Sequence, residues 1–256
     1  MKQLTAFTKK ELMEWNRTGK SLLFLLLFVL FGIMNPAIAK LTPWLMDVMA
    51  ESLTESGLAV TEVEVNALTS WTQFYKNIPI ALIVFLLLSG GILTAEYQRG
   101  TLINMLTKGL HRWKVIVSKS AVVVILWTAG FWMCYGITCG YNAWFWDNHI
   151  VSHPVFAAFC FYLLGIWLIS LVLLTSVLFS NTSAVLAASG GIFLIIYLAG
   201  FFPAVKEYLP GQLLGSSELL TGLNTPSGYY AAIGVTALLA IINIGAAVIF
   251  FNKKML

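Results

Sequence analysis

Six uninterrupted apolar runs, at residues 22–41, 78–95, 121–141, 154–179, 183–202 and 229–251, constrain this chain more than any other feature. A helix needs about 20 apolar residues to cross the roughly 30 Å of hydrocarbon in a bilayer, and each run is close to or above that length. No water reaches a backbone N–H or C=O in lipid, so a spanning segment must be a helix or belong to a closed barrel. Barrel strands read as short alternating segments, whereas these runs are long and continuous. The expectation is an all-α integral membrane protein of six transmembrane helices in a single domain covering residues 1–256. Only 10% of the residues are charged and 59% are hydrophobic, against about 25% charged in soluble domains. That balance excludes a soluble globular enzyme, a disordered chain and a secreted disulfide scaffold.

The few charges are sorted. With the N-terminus in the cytoplasm, all basic residues but Lys40, Lys76 and Lys206 fall on the inner side. Of the acids, only Glu11, Glu14 and Glu96 fall there. This is the positive-inside pattern, so the expectation is a bacterial plasma (inner) membrane with both termini on its cytoplasmic side. The weak net charge of +4 gives no reason to expect nucleic acid as a partner. Ala37-Ile38-Ala39 imitates a signal-peptide cleavage site, but about 20 residues with acids among them precede the apolar run, and no cleavage is expected.

Four stretches between the spans carry pattern. In residues 1–20, Leu4, Phe7, Leu12 and Trp15 share a helical face, with Glu11 intruding, and the lysines lie opposite. This predicts an amphipathic helix along the inner surface, its basic side toward anionic lipid headgroups. Residues 42–77 form an acidic extracellular loop. Thr42-Pro43 reads as a helix start, with Thr as N-cap and Pro in the first turn, and a second helix is expected from about Glu62, presenting Val65, Leu68, Trp71 and Tyr75. Residues 96–120 make a basic cytoplasmic loop. Glu96 suits a helix N-terminus, and Leu102, Met105 and Leu106 give a short helix one apolar face. Residues 203–228 are rich in Pro and Gly yet greasy, which predicts a re-entrant helical segment at the outer edge.

The chain offers little chemistry of its own. Thr18-Gly19-Lys20-Ser21 is half a P-loop, but Glu14 stands where the first Gly belongs and no strand precedes it, so no nucleotide site is expected. His149 and His153 have metal-ligand spacing, but Pro154 follows and no acid completes a zinc motif. Cys134, Cys139 and Cys160 contain no C-x-x-C and are expected as small packing residues. No span holds an ionisable residue near its centre, which argues against an ion-coupled carrier or intramembrane protease. The polar span residues are mild, and of these Asn35, Ser89 and Ser189 are the candidates for lining a pathway. Gly136 with Gly140, and Ser183 with Ala187 and Gly191, have the spacing of close helix contacts, expected chiefly within the chain.

The loop after the second span carries a resemblance. Glu96-Tyr97-Gln98-Arg99-Gly100-Thr101-Leu102, then Met105-Leu106-Thr107 and the stretch from Arg112 to Lys119, resembles the first cytoplasmic loop of type-2 ABC exporter permeases. Lys108-Gly109 stands where Pro is usual in that family, and His111 where Ser is usual. The likeness extends to the architecture: an elbow helix, six spans and a broken segment before the last. It implies a permease subunit that holds no cofactor, with ATP and Mg bound by two separate ABC ATPase subunits. Glu96, Arg99, Gly100, Thr101, Leu102, Met105, Leu106 and Arg112 would form the coupling segment seated on them, with Gly100 permitting close approach. A second copy or a sister permease would complete the pathway, in contact with membrane lipids. The cargo class implied is lipid-like, drug-like or a peptide antibiotic, leaving the chain without enzymatic activity. A second reading is a non-transporting membrane sensor or resistance partner that binds a ligand through the extracellular loop.

Overall fold

The computed structural model describes residues 2–54, 65–107 and 109–254. In chain order the helices are α1 (Lys2–Arg17), α2 (Lys20–Thr54), α3 (Ala67–Ser89), α4 (Thr94–Arg99), α5 (Thr101–Thr107) and α6 (Arg112–Phe145), then α7 (Pro154–Leu178), α8 (Thr182–Ala199), α9 (Pro203–Lys206) and α10 (Tyr230–Lys253). Three 3₁₀ helices, Asn148–Ile150, Pro210–Thr221 and Pro226–Tyr229, lie in the connections. No strand is formed among the described residues. Six of the helical stretches are long and apolar enough to cross a membrane, so the chain has the architecture of an all-α membrane protein.

The first long helix differs from the sequence expectation. Instead of a new helix starting at Thr42, α2 continues through Pro36 and Pro43. The Thr42 hydroxyl bonds the carbonyl of Ile38 four residues back (2.8 Å), where a cap would accept from an amide ahead. Similarly, α3 joins the end of the expected loop helix to the second span. Asn66 caps it by accepting from the Thr69 amide at 3.2 Å, and Ala67, Trp71, Phe74, Ile78, Ala81 and Phe85 form one buried stripe. The start expected near Glu62 lies outside the described residues.

The core is aromatic and lies among α2, α3, α6 and α7. Phe24 and Phe85 approach to 4.5 Å between ring centroids, and Phe28 meets Trp127 edge-on at 5.8 Å. Two glycines make this possible. A Cβ at Gly130 would lie 2.6 Å from the Phe24 ring, and one at Gly165 would lie 2.3 Å from that of Trp127. A polar chain runs through the same helices: Asn77 donates to Asn35 (2.8 Å), Asn35 to Thr138 (3.1 Å) and Thr138 to the Gly32 carbonyl (3.2 Å). Such bonds are worth about 0.6 kcal/mol each in a membrane protein, and an unmet polar group there costs more.

Helix α7 is the hub of the bundle and packs against α3, α6, α8, α10 and the long 3₁₀ helix. Along α10 only Ala232, Thr236, Ala240, Ala247 and Phe251 are buried, with Asn243 donating to Ser170 at 3.1 Å. Helix α8 buries only Val185 and Ser189. The small-residue stripes correct an expectation. Gly136, Gly140 and Gly191 have nothing within 4 Å of a Cβ position, so these faces are not close contacts within the chain.

The segment 203–228 folds chiefly as the 12-residue 3₁₀ helix Pro210–Thr221. Runs beyond 3–4 residues are uncommon in this conformation. Its support is packing: Pro210, Leu213, Ser216 and Leu219 are all buried, and their three-residue spacing matches the three residues per turn of a 3₁₀ helix.

Replacing Gly165 by Ala should force the α6–α7 contact apart. The expected cost is about 1–3 kcal/mol of overpacking, read as a lower melting temperature of the purified chain in detergent. Adding Trp127→Leu should recover part of that loss, because the ring that meets the new methyl is gone.

Candidate functional site

The densest chemistry gathers where α1, α4, α5 and the start of α6 meet. Lys119, 2% exposed, sits near the start of α6. Its ammonium lies 2.8 Å from Glu11 Oε2 on α1 and 3.1 Å from Glu96 Oε2 on α4. Lys10 closes the cluster from the surface, 2.9 Å from Glu11, 3.2 Å from Glu96 and 2.8 Å from Glu14. Three carboxylates and two ammoniums thus alternate across three elements.

The local sequence explains the assembly. Phe7, Glu11 and Trp15 recur every four residues and are all buried. The face of α1 that packs on α6 therefore includes the acid read as an intruder, while Leu12, assigned to that face, is exposed. Glu96 stands in the first turn of α4, where amide dipoles favour a carboxylate. Burying ions is costly unless each is paired, and in this cluster each is. Glu11, Glu14 and Glu96 bring carboxylate oxygens within 4.8 Å of one another, a spacing that also suits a divalent cation, but the lysine ammoniums already occupy that position.

Two groups report the electrostatics. Burial opposes the charge of Lys10, yet its bonds to Glu14 and Glu11 overcome this and hold its pKa above the ordinary lysine range. The bond from Lys10 holds the Glu14 carboxyl below the ordinary carboxylate range.

Beside this cluster, the basic loop folds as two short helices. Gly100 separates them in the left-handed conformation, φ 64°, with its amide bonded to the Tyr97 carbonyl. Nothing of the chain itself lies within 4 Å of its Cβ position, so within the chain the glycine serves the turn. Leu102 is buried in a small cluster with Phe7, Leu93, Val115, Ile116 and Phe251, and Met105 and Leu106 pack against it. The apolar face of α5 is therefore seated on its own chain. Arg112 donates to the carbonyls of Phe251 and Lys254 at the end of α10. Lys254 in turn donates to the Val177 carbonyl at the end of α7 (2.6 Å) and stands 4.3 Å from the Tyr97 ring centroid.

No family model matches the sequence, and no curated protein is significantly similar to it.

Of the eight expected coupling residues, Glu96, Leu102 and Arg112 bind the segment to the bundle. Thr101, Met105 and Leu106 are half-buried, Gly100 makes the turn, and Arg99 is exposed. The exposed large apolar side chains of the stretch are Ile103, 48% exposed, and Trp113, 42% exposed. Sequence reasoning missed Glu11 and Lys119 as partners, and Ile103 and Trp113 as exposed apolar residues. An acid repeated into the buried period of α1 was the available signal for the first pair.

The pathway candidates separate. Asn35 is fully buried in the polar chain described above. Ser89 is buried and bonds the Phe85 carbonyl at 2.7 Å. Ser189 borders an apolar groove between α3 and α8. His149 and His153 fall on different elements, His149 in a 3₁₀ turn and His153 at the cap of α7.

Lys119→Met should strand Glu11 and Glu96 without their cation, costing about 3–5 kcal/mol, seen as a large drop in melting temperature. A Glu11→Leu, Glu96→Gln, Lys119→Met triple variant should recover most of it.

The pH response follows from the two shifted groups. A lowered carboxylate contributes stability that is lost as the pH falls through its folded-state pKa, and a raised lysine contributes stability that is lost only as the pH rises through its own. Both shifted groups lie on α1, so the melting temperature of the chain should fall as the pH drops below the ordinary carboxylate range, and a Glu14→Gln variant should lose part of that dependence.

Proposed function

We propose that this chain is the membrane-spanning permease subunit of an exporter driven by a separate ATPase. The observation that carries the reading is the seating of α5. A seven-residue helix is fixed from beneath by Leu102 and flanked by the Glu96–Lys119 pair and the Arg112 clamp. Ile103 on it is exposed, and the chain also exposes Arg99 just before the helix and Trp113 just after it. A short segment that exposes an apolar side chain, a cation and an indole has the composition of a docking point for another protein. A shallow cavity of about 480 Å³, lined by Ile103, Leu106, Leu110 and His111, lies at its side.

In this reading α5 faces the cytoplasm, with both termini on that side of a bacterial plasma membrane. Two ATPase chains bind ATP and Mg and close on hydrolysis-linked cycling. Each presses on one α5, and two permease copies, or one copy and a sister chain, enclose the path. The ionic cluster makes this mechanically useful. Displacing α5 moves α4 through Gly100, α4 carries Glu96, and Glu96 is tied to α6 and α1 through Lys119 and Lys10. The motion therefore reaches the spans through charge pairs that resist separation in a buried setting. A cargo with substantial apolar surface, such as a lipid-like, drug-like or peptide-antibiotic molecule, fits a bundle without a charged residue at mid-span.

Purification of the tagged chain from its native membranes should bring with it a second polypeptide that hydrolyses ATP. Ile103→Asp with Arg99→Glu should reduce the associated ATPase by about tenfold or more, roughly 1.4 kcal/mol or above in binding, while the melting temperature of the chain stays within a degree or two. Undiminished association in that variant, or the absence of any ATP-hydrolysing partner, would overturn the reading.

A further inference from the structure

Two cavities of different chemistry adjoin at one place in the bundle, and neither belongs to the ionic cluster. The first is a groove of about 550 Å³ running between α3 and α8 over the face of α7. Ile83 and Leu87, Leu164 and Leu168, and Gly190 and Leu194 supply its three walls. All three helices are among the six apolar enough to span a bilayer, so the groove lies at hydrocarbon depth. Its polar side chain, Ser189, already donates to the Leu186 carbonyl at 3.1 Å. The second cavity, about 410 Å³, lies beyond the end of α8. Lys206, Gln212 and Glu218 border it. Tyr197 and Leu214 line both cavities, so an apolar space and a polar one adjoin at these two side chains. Each part falls within the usual small-ligand range of about 300–1,000 Å³.

The shape restricts the occupant. At one end the groove is closed, because Leu186 of α8 lies against Gly90, where a Cβ would meet it at 2.9 Å. Close by, the hydroxyls of Thr94 of α4 and Thr182 of α8 share a 2.7 Å hydrogen bond. From there the groove runs between α3 and α8 toward the polar cavity, with α7 as the floor. A wedge that starts from van der Waals contact does not admit a helix about 10–12 Å across along its length, but it does admit a flexible hydrocarbon chain. The polar end offers one charge of each sign. Lys206 is exposed and forms no ion pair among the described residues. Glu218 accepts one bond, from Asn224 at 2.6 Å, and its other oxygen faces the cavity side near Gly215.

We propose that the adjoining cavities form a seat for one zwitterionic phospholipid, with an acyl chain in the α3–α8 groove and its headgroup between Lys206 and Glu218. The phosphate pairs with Lys206 and the headgroup amine with Glu218. The seat stands at the end of the bundle opposite the ionic cluster and does not depend on an ATPase partner, so it can fail or hold independently of the exporter reading.

The test is photo-crosslinking of the full chain in nanodiscs containing a trace of phosphatidylcholine with a diazirine on its acyl chain, followed by peptide mapping. Labelling should favour residues 78–89 and 182–199 over the outward face of α10 at Ile241 and Ile242 by about fivefold. Gly190→Trp should abolish the preference, because a Cβ there has open space ahead of it and the indole fills the groove. The exposed variants Lys206→Glu and Glu218→Lys should each lower groove labelling about threefold or more and leave α10 labelling unchanged. Even labelling of the groove and α10, or a preference that survives Gly190→Trp, would mean ordinary boundary lipid and overturn the seat. Efficient disulfide dimers from a Leu194→Cys variant would assign the groove to a second copy of the chain and overturn it also. Stronger labelling by an equivalent phosphatidylglycerol probe, insensitive to Glu218→Lys, would overturn the zwitterionic assignment.

Discussion

A lysine that is 2% exposed and held by carboxylates from two other elements organises one whole end of this molecule. Lys119 lies two turns into the third long apolar helix and is buried there, and an unpaired ammonium in such a place is strongly disfavoured. It is neutralised only if α1 lies across α6 with Glu11 inward and α4 stands with its first turn toward the same point. One charge therefore ties down two helices, α1 together with its buried Phe7 and Trp15 and the much shorter α4. Helix α4 has six residues, far below the length at which an isolated helix persists in water. Helix α5 has seven and depends on Leu102 and the small apolar cluster in the same way. The short helices are products of their surroundings, and the ionic cluster is the main part of those surroundings.

The rest of the bundle relies on a different constraint. Lipid gives no hydrophobic reward for bringing apolar helices together, so close packing and interhelical hydrogen bonds must do it. Glycine at 130 and 165 admits Phe24 and Trp127 to the backbone of the neighbouring helix, and the Asn77–Asn35–Thr138 chain adds direction. These devices are concentrated on α2, α3, α6 and α7. Helices α8 and α10 have fewer of them and turn most of their surface outward, which is why a groove survives beside α8 and why Gly191 faces open space.

How much of this was legible in the sequence follows from the range over which each signal acts. The six spans were legible because hydrocarbon thickness imposes a length that composition alone reveals. Their ends were less so. Pro43 reads as a start because its missing amide suits a first turn, but the same residue is tolerated mid-helix in an apolar setting, and α2 runs on. The 3₁₀ helix Pro210–Thr221 carried a usable signal in the three-residue recurrence of Pro210, Leu213, Ser216 and Leu219, hidden by the expectation of a 3.6-residue period. Glu96 was legible as a helix start. Its partners were not, because Glu11 and Lys119 lie 108 positions apart and nothing in local pattern links them. The apolar face of α5 was legible as a face, but only the fold shows that it is satisfied within the chain and that Ile103 on its other side is what remains exposed.

The connection between the two ends of the molecule rests on α4 and α8. Thr94, the first residue of α4, bonds Thr182, the first residue of α8, and one turn further on Leu186 fills the space over Gly90. Glu96 is two residues beyond Thr94. The element that carries the buried carboxylate thus begins beside the closed end of the α3–α8 groove. Holding Glu96 on Lys119 fixes the closed end of that wedge. Helix α8 buries only Val185 and Ser189 along its length and rests chiefly on α7, so it is held more lightly than the helices of the aromatic core. A change in the position of α4 is therefore felt less in the aromatic core, which is close-packed and stiff, than in the opening between α3 and α8. The softest part of the bundle and its most expensive ion pairs meet at one turn of one short helix.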